Sequence, residues 1–576
     1  MRKFLQALSL LLFSAFFVFA TYRLPDWLPA DIYLRLDPLL GLNAIFAARE
    51  IIGRALWSLM TIGITLVAGR FFCAYVCPMG VSIDLFDFFL FRKRKRHGLK
   101  SEASLRKAKY ALLIIFVIAA LTGLSLAFLM DPIALLTRFY TFFIYPLAIT
   151  LINLFLDLLR PLFQALGWVS LSHLHYFQSV YYMTAITLLI FGGIIVLNRF
   201  VPRFWCRYLC PLGAFLSLVS PLGLFKRRVN EDCNECLKCQ RACPMGAVAE
   251  DPKRTHLPEC IQCRTCAKVC PENAISFPAS LSLGGEYSKV EPHEQAPDND
   301  PGAHVGRHPG QRQRISFGAG INFSRRGFVF SLAGGLGVGF LATQTPFTLR
   351  QGKHPLLRPP GAIPETEFLR TCIRCGECMK SCLTNTLQPS LWESGFSGLW
   401  TPKMEPRLAP CDQNCNVCGK VCPTQAIRSL PLEEKTYAKV GTAVLRKEMC
   451  LVWAENKICL ICDEICPYNA IVFRPVEGYR RPVVVASKCN GCGFCEQRCP
   501  VRGDSAIVVV PNGEIRLKEG SYVKEAKKLQ LEFKPDPGDD KYILEDSGFK
   551  IEDRKKGEKD ILPEEKPQPK KPKGFL

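Results

Sequence analysis

The sequence contains none of the short motifs by which a chain binds a nucleotide or a covalently attached haem. No C-x-x-C-H occurs among its 28 cysteines, which excludes a c-type haem attachment site. No P-loop occurs, and no glycine-rich fingerprint follows a predicted strand. The soluble parts also show no pattern typical of a substrate pocket. The cysteines are therefore the residues in which to look for the chemistry.

Acidic residues are scarce relative to basic ones, and the formal net charge is +22 over 576 residues. Such an excess favours nucleic-acid binding when the basic residues form a soluble patch. Here the basic clusters flank apolar segments: "RKRKR" at 92–96 ends one segment, and "KRR" at 226–228 follows another. This placement is the orientation signal of membrane proteins. We therefore expect membrane lipid, and no nucleic acid, as a partner.

Residues 1–228 are mostly apolar and predict a transmembrane domain with an internal repeat. Four segments approach the roughly 20 helical residues that a bilayer core requires: 3–20, 51–69, 109–130 and 179–198. Each half of the repeat has an Asp-Pro stretch followed by a Cys-x3-Cys-Pro stretch. In the first half these are "RLDPLLGL" at 35–42 and "FFCAYVCPMG" at 71–80. In the second half they are "LMDPIALL" at 129–136 and "FWCRYLCPLG" at 204–213.

Basic residues beside the two Cys-x3-Cys-Pro stretches predict that both lie on the cytoplasmic side, so an even number of spans separates them. This favours four spans, with 139–176 as an extracytoplasmic re-entrant or interfacial insert. A simple hydropathy count would make 139–158 a fifth span. The alternative that keeps the parity is six spans, with 161–176 as a short one.

Every cysteine belongs to a group, either one of two pairs or one of six quartets. A disulfide framework is typical of small secreted chains and does not suit quartets compressed into about a dozen residues. The first two quartets both match C-x2-C-x2-C-x3-C-P, the spacing of bacterial two-cluster ferredoxins. They are Cys233, Cys236, Cys239 and Cys243, then Cys260, Cys263, Cys266 and Cys270.

In that spacing three cysteines bind one iron–sulfur cluster and the fourth binds the neighbouring one. We therefore expect Cys270 to join Cys233, Cys236 and Cys239, and Cys243 to join Cys260, Cys263 and Cys266. Structural zinc is the alternative, but its usual pattern is two separated C-x2-C knuckles.

Four further quartets follow, two of them irregular, with an x3 step in the second and an x8 gap in the third. A longer loop removes no ligand, so we expect four more clusters and six [4Fe–4S] clusters in total. We predict that motif one exchanges its fourth cysteine with motif four, and motif two with motif three; exchange between neighbours is the alternative. The quartets are Cys372, Cys375, Cys378 and Cys382; Cys411, Cys415, Cys418 and Cys422; Cys450, Cys459, Cys462 and Cys466; Cys489, Cys492, Cys495 and Cys499.

Such clusters transfer single electrons, so six in one chain indicate an electron-transfer protein rather than a scaffold. The fold class expected is an α-helical membrane bundle of about four spans followed by α+β polycluster domains of bacterial-ferredoxin type. The predicted divisions are a membrane domain 1–228, a two-cluster domain 229–280, a disordered linker 281–322, a signal or anchor helix 323–347, a four-cluster domain 365–515 and a disordered tail 516–576.

The two cysteine pairs of the membrane domain are Cys73/Cys77 and Cys206/Cys210. The i, i+4 spacing puts each pair on one face if the helix continues that far, although Pro78 and Pro211 tend to end or kink it. Because the repeat relates the pairs, we expect them to supply four thiolates to one further metal or cluster. Buried free thiols and a redox-active disulfide are the alternatives.

Several ionisable residues lie near the predicted outer ends of the apolar segments. Asp37, Asp131, Arg35 and Arg138 are functional candidates, as are His173 and His175 in the insert. An oxidised quinol must lose protons, which a carboxylate or a histidine among them could accept. They are equally compatible with surface charges.

"SRRGFVFSLAGGLGVGFLAT", from Ser324, has the form of a twin-arginine export signal although it lies past the middle of the chain. Twin-arginine export moves folded proteins, which suits a domain that already contains iron. No small-x-small cleavage pattern follows, so we expect an uncut anchor. A chance match is the alternative.

The first 275 residues resemble NapH-type membrane ferredoxin subunits, in "CAYVCP", "CRYLCP" and the two ferredoxin motifs. Residues 323 to about 510 resemble NapG-type subunits, in "SRRGF" and the four later quartets. The resemblance implies a quinol dehydrogenase component in the bacterial inner membrane, with 229–280 cytoplasmic and 365–515 periplasmic. It would take electrons from the quinone pool and pass them to a periplasmic reductase such as nitrate reductase or to a c-type cytochrome.

A related arrangement in copper-oxidase assembly and nitrous-oxide reductase regulators implies the alternative, a maturation factor for a respiratory metalloenzyme. Both candidate functions meet one difficulty if the two cysteine-rich regions lie on opposite sides of the membrane. About 30 Å of hydrocarbon would separate the two sets of clusters. The membrane cysteines, a quinone or a partner would have to bridge that distance.

Overall fold

The structure, a computed structural model, describes residues 2–21, 25, 28–90, 105–279, 314–317, 321–343, 356–391, 393 and 395–533. Residues up to 222 form a helical bundle, which we call the bundle. Its helices are Arg2–Phe19 (α1), Ile32–Arg35 (α2), Pro38–Ala48 (α3), Ser58–Ala68 (α4), Pro78–Leu90 (α5), Ala108–Leu121 (α6), Pro132–Phe139 (α7), Tyr145–Ala165 (α8), Val169–Ser172 (α9), Thr184–Leu197 (α10) and Pro211–Val219 (α11).

Residues 225–279 form the first cysteine-rich domain, in which a two-residue antiparallel ladder joins the ends of the domain. Arg228–Val229 (β1) pairs with Ile275–Ser276 (β2). Between these strands lie the short helices Lys238–Ala242 (α12) and Thr265–Lys268 (α13), one within each quartet. The domain is therefore a pseudo-symmetric pair of loop–helix units.

Part of the predicted linker is ordered. Arg314–Phe317 (β3) pairs antiparallel with Ile321–Ser324 (β4), and Arg325–Thr343 (α14) follows, where the signal or anchor helix is predicted. The prediction of a disordered linker is wrong for these strands, because their backbones pair in an antiparallel ladder of four residues each. Residues 281–313 and 318–320 lie outside the described residues.

Residues 356–533 form the second cysteine-rich domain. Its helices are Glu365–Thr371 (α15), Glu377–Lys380 (α16), Val417–Lys420 (α17), Leu432–Tyr437 (α18), Leu451–Ala454 (α19), Ile461–Glu464 (α20), Phe494–Arg498 (α21) and Tyr522–Lys528 (α22). Its strands pair antiparallel as Leu387–Pro389 (β5) with Pro402–Met404 (β6), Thr442–Leu445 (β7) with Ile507–Val510 (β10), and Ile471–Val476 (β8) with Tyr479–Val484 (β9).

The predicted tail begins too early. Tyr522 and Phe533 are buried, and Phe533 packs against the rings of Tyr437 and Tyr468. The prediction of disorder is therefore wrong for residues 516–533, because two aromatic side chains anchor a segment that is otherwise charged. Residues 534–576 lie outside the described residues.

The two cysteine-rich domains lie at opposite ends of the bundle. At the start of α1, Arg2 donates to Thr265 of the first domain, and just beyond its end the Ala20 carbonyl accepts from Lys380 and Ser381 of the second. The 18 residues of α1 separate these contacts by about 27 Å.

Two other parts of the bundle connect the domains in the same way. Arg54, before α4, donates to the Cys422 carbonyl of the second domain, and Arg70, after it, donates to the Pro258 carbonyl of the first. Lys109 of α6 pairs with Glu259 at 2.6 Å, whereas Ser125, beyond α6, accepts from Arg374.

Two helices in the described part of the chain are long and apolar enough to cross a membrane, by length and composition: α1, and the continuous helical stretch Pro132–Ala165. The predicted spans at 51–69, 109–130 and 179–198 correspond to shorter apolar helices. The four-span count therefore stays a prediction.

Much of Pro132–Ala165 falls in the predicted insert at 139–176, whose two ends meet at one place. The rings of Phe142 and Tyr181 lie 5.1 Å apart, and the Tyr181 hydroxyl donates to the Met379 carbonyl of the second domain. Between them, Asn153 exchanges two hydrogen bonds with the backbone of Tyr176. The insert therefore leaves the bundle and returns to it at the end that contacts the second domain.

Helix α14 packs closely along α6. A β-carbon at Gly335 would lie 2.8 Å from the β-carbon of Ile118, whereas one at Gly337 would meet nothing within 4 Å. Small residues of this kind let two apolar helices approach at backbone distance.

The variant Gly335→Ala tests this contact. Overpacking against Ile118 should cost about 1–3 kcal/mol, only partly offset by the helix propensity of alanine. Thermal unfolding of the full chain in detergent should show a lower Tm. The matched control, Gly337→Ala, should hold or raise Tm, and equal behaviour of the two variants would contradict the packing.

Candidate metal centres

Three cavities in the cysteine-rich domains have the same construction. Each measures about 330–370 Å³ and is lined by four cysteines, three from one motif and one from another. The sets are Cys260, Cys263, Cys266 and Cys243; Cys489, Cys492, Cys495 and Cys466; Cys450, Cys459, Cys462 and Cys499.

The second domain contains two further sets of four thiols, and within each set the fourth cysteine interacts electrostatically with the other three. Cys422 interacts with all three leading cysteines of the first motif, and Cys382 with all three of the second. The predicted exchange of motif one with motif four, and of motif two with motif three, is therefore wrong. Neighbouring motifs exchange, because the short helix inside each motif carries the fourth cysteine directly into the adjacent loop.

The remaining quartet lies at the far side of the first domain. Cys239 and Cys270 share a small core, and Cys233 and Cys236 are half-buried in the loop before α12. Cys239 and Cys270 are thus brought into one core, and the addition of Cys233 and Cys236 to the same cluster stays a prediction.

The backbone explains how a C-x2-C-x2-C run wraps around a cavity. In each of the four regular motifs, one residue before and one after the middle cysteine adopts left-handed φ. Non-glycine residues pay a steric cost for this conformation, so it marks a constrained loop. The pairs are Glu235 and Leu237, Gln262 and Arg264, Arg374 and Gly376, and Gly491 and Gly493.

Burial favours the protonated thiol at two of these cysteines when no metal is bound. Removal from water raises the pKa of Cys260 to about 12 and that of Cys372 to about 11, and neighbouring thiols add to the effect. Metal ligation requires thiolate, so loading a site must release protons.

The four cysteines of the bundle also line one cavity, of about 360 Å³. Single π-helical turns, Phe72–Val76 and Trp205–Leu209, carry the first cysteine of each pair, and α5 and α11 begin directly after the second. The backbone N–H of Gly213 donates to the Cys210 sulfur at 3.2 Å. The repeat thus brings both pairs to a single site.

Two buried arginines, which the sequence reasoning did not identify as part of the site, complete this cavity. Arg70 and Arg203 both line it, and each is 1% exposed. Arg203 donates to Asp84 at 2.8 Å and to the Cys73 carbonyl at 3.0 Å. The sequence does contain a signal for these two residues, because an arginine stands three residues before the first cysteine in both halves of the repeat.

The residues around this cavity fit an iron–sulfur cluster. Like the cavity of Cys260, it is lined by four cysteines. Two buried guanidinium groups offset the negative charge of four thiolates in a low-dielectric site.

The seven cysteine sets follow one another along the molecule. Met245 and Ile261 line both the bundle cavity and the cavity of Cys260. On the other side, Pro132 lines the bundle cavity, and Arg138, six residues or about 9 Å further along α7, interacts with Cys375.

Within the second domain the contacts continue from set to set. Cys378 interacts with Cys418, the N–H of Cys411 donates to the Cys492 carbonyl at 2.8 Å, and Cys495 interacts with Cys462. The set that includes Cys462 therefore comes last in this series of contacts within the second domain.

The ionisable candidates separate into two groups. Asp37, Asp131 and Arg138 are buried, so their interpretation as surface charges is wrong. His173 and His175 are exposed on the insert, and Arg35 pairs with Asp31 at 2.6 Å.

Repeated thiol-lined cavities on short loop–helix units define a class: this is a ferredoxin-type iron–sulfur protein that transfers electrons to a redox partner. Comparison with known protein families supports this class. Residues 225–271 and 457–502 match 4Fe–4S dicluster domains, and residues 52–97 and 183–230 match a 4Fe–4S binding domain. No solved structure matches the chain.

The curated relatives align with the C-terminal half. The methylamine utilization ferredoxin-type protein MauM of Methylorubrum extorquens is 41% identical over 165 residues, 27% of this chain and 72% of the relative. The ferredoxin-type protein NapG of Escherichia coli is 34% identical over 194 residues, 32% of this chain and 82% of the relative. The chain belongs to this family of ferredoxin-type proteins.

The neighbour exchange is tested by Cys499→Ser. Because Cys499 lines the cavity of the third motif, this variant should disturb the cluster of Cys450, Cys459 and Cys462 and leave that of Cys489, Cys492 and Cys495 unchanged. Electron paramagnetic resonance of the reduced protein should lose one signal. Loss of the same signal in Cys450→Ser supports the assignment, and loss of the Cys489→Ser signal instead would contradict it.

Proposed function

We propose that the chain is a membrane-bound electron-transfer protein that oxidises a quinol and passes the electrons to a periplasmic reductase or c-type cytochrome. The observation that carries this proposal is the unbroken series of thiol sets from the first domain, through the bundle, to the far side of the second. Each [4Fe–4S] cluster, when bound, accepts and donates one electron.

The surface of the bundle supports insertion in a membrane. Large apolar side chains point outward from several helices, among them Leu11, Leu59, Leu154 and Leu189, each more than half exposed. A soluble protein rarely exposes a contiguous apolar surface of this extent. The first domain is then cytoplasmic and the second extracytoplasmic, in the bacterial inner membrane.

Helix α14 supplies the additional crossing that this topology requires. It begins at the twin arginines and packs along α6, which itself runs from the first domain towards the second. We propose that it is a twin-arginine signal that remains in place as an anchor. Its contact with Ile118 gives a physical reason for retention, because cleavage would leave the apolar face of α6 uncovered.

We further propose that the bundle cysteines bind a seventh cluster. The match to a 4Fe–4S binding domain covers Cys73 and Cys77 in one segment and Cys206 and Cys210 in the other, with no other cysteine. Arg70 and Arg203 would offset its charge, and π-helical turns orient the thiols. The remaining six clusters would use the cysteine sets described above.

A maturation factor for a respiratory metalloenzyme is the second candidate. The related cysteine-pair arrangement favours it, because the same series of sites could reduce metal ions or thiols during assembly. A deletion strain separates the two. Lost electron flow with an intact partner enzyme supports the quinol dehydrogenase role, and a partner that lacks its cofactor supports maturation.

The variant Cys210→Ser tests the bundle cluster and its role. In sealed vesicles, an impermeant reductant on the side of the first domain should reduce an acceptor on the other side through wild-type protein but not through the variant. Iron content should fall by about four atoms per chain.

The design contains its own controls. Each domain should still be reduced by a reductant applied to its own side, and protease should cleave the two domains from opposite faces. Reduction of the centres by a menaquinol or ubiquinol analogue tests the donor. Normal transfer through Cys210→Ser, or digestion of both domains from one face, would contradict the proposal.

A further inference from the structure

Two buried aspartates meet inside the bundle. Asp37 and Asp131 occupy equivalent positions in the two halves of the repeat, and each precedes the proline that begins a helix, α3 or α7. Neither residue has any exposed surface. One oxygen of each, Oδ1, accepts two backbone N–H groups, at 2.8 and 3.1 Å for Asp37 and at 2.9 and 2.8 Å for Asp131.

The second oxygens are in a different situation. The two carboxyl groups lie within hydrogen-bonding reach of one another. No donor of the described residues reaches Oδ2 of either side chain. Two carboxylates at this distance in a dry site cannot both be ionised, so a proton must lie between them.

Charged groups on the surrounding elements do not replace that proton. Arg138 interacts with Asp131 but donates to the carbonyls of Phe128 and Ala134. Arg374 approaches Arg138 from the second domain and donates to carbonyls there and in the bundle. On α2, Asp31 and Arg35 neutralise each other.

The two aspartates lie close to the cavity of the bundle cysteines. Pro132, the residue after Asp131, lines the bundle cavity together with the four bundle cysteines. A negative charge that enters this cavity therefore lies close to the pair, with little water between them to screen it.

We propose that Asp37 and Asp131 share one proton and form the proton-exchange site of the bundle. When one electron enters the cysteine cavity, the charged member of the pair takes up one proton from the aqueous phase, and it returns that proton to the aqueous phase when the electron leaves. Charge is balanced because one electron and one proton arrive together. The electron-linked half of this inference rests on the proposed bundle cluster, whereas the shared proton does not.

A double-mutant cycle tests the shared proton without any cluster signal. Asp37→Asn and Asp131→Asn should each leave Tm nearly unchanged, because an asparagine keeps the helix cap and its amide N–H imitates the shared proton. Asp37→Asn with Asp131→Asn should lower Tm clearly, because two amide N–H groups then face each other. Additive effects, or a higher Tm in each single variant, would overturn the inference.

The electron-linked uptake is tested by the potential of the bundle cluster as a function of pH. In wild type it should fall by up to about 59 mV per pH unit, the value for one proton per electron. Asp37→Asn combined with Asp131→Ser removes both carboxyl groups but keeps both caps, and it should give a flat profile. Either single asparagine variant retains one carboxylate and should keep the slope, as should Asp157→Asn on the exposed insert.

The outcomes distinguish the two proposals. If Cys210→Ser removes no signal and no iron, the bundle cluster is refuted, and the double-mutant cycle alone decides the shared proton. If the cluster is present but its potential in wild type does not depend on pH, the cluster proposal stands and the proton-exchange inference is overturned.

Discussion

The structure depends on one interaction: a cysteine that leaves its own motif to complete the cavity of another. Because each motif supplies three thiols to one cavity and one to its neighbour, no cavity is complete without two separate parts of the chain. Cys243 and Cys422 show the rule in the two cysteine-rich domains. The bundle follows it in another form, with two thiols from each half of a repeat. Iron bound at such sites would tie the fold together.

Buried negative charge is offset in different ways at the bundle cysteines and at the two aspartates. Around the bundle cysteines, Arg70 and Arg203 supply positive charge and are themselves paired with Glu259 and Asp84. Among the described residues, no cation is hydrogen-bonded to Asp37 or Asp131, and a proton is the smallest group that removes the repulsion. The bundle therefore combines a fixed positive charge beside the cysteine cavity with a pair of carboxyl groups, one of which, Asp131, directly precedes the cavity-lining Pro132.

Sequence reasoning predicted what depends on local spacing and missed what depends on packing. The quartets and the two-domain organisation follow from the order of the cysteines. The partner of each fourth cysteine in the second domain does not, because it depends on how the loops with the x3 and x8 gaps fold. The same holds for the meeting of two aspartates almost a hundred residues apart. The charged composition of residues 516–533 also predicted disorder wrongly, because the burial of Tyr522 and Phe533 orders this segment.

The most direct test of the account is the iron and sulfide content of the full chain, isolated without oxygen, together with its Mössbauer spectrum. We expect about 28 iron and 28 sulfide ions per chain, all in four-iron clusters. A folded, colourless protein that contains zinc, or iron without inorganic sulfide, would contradict it.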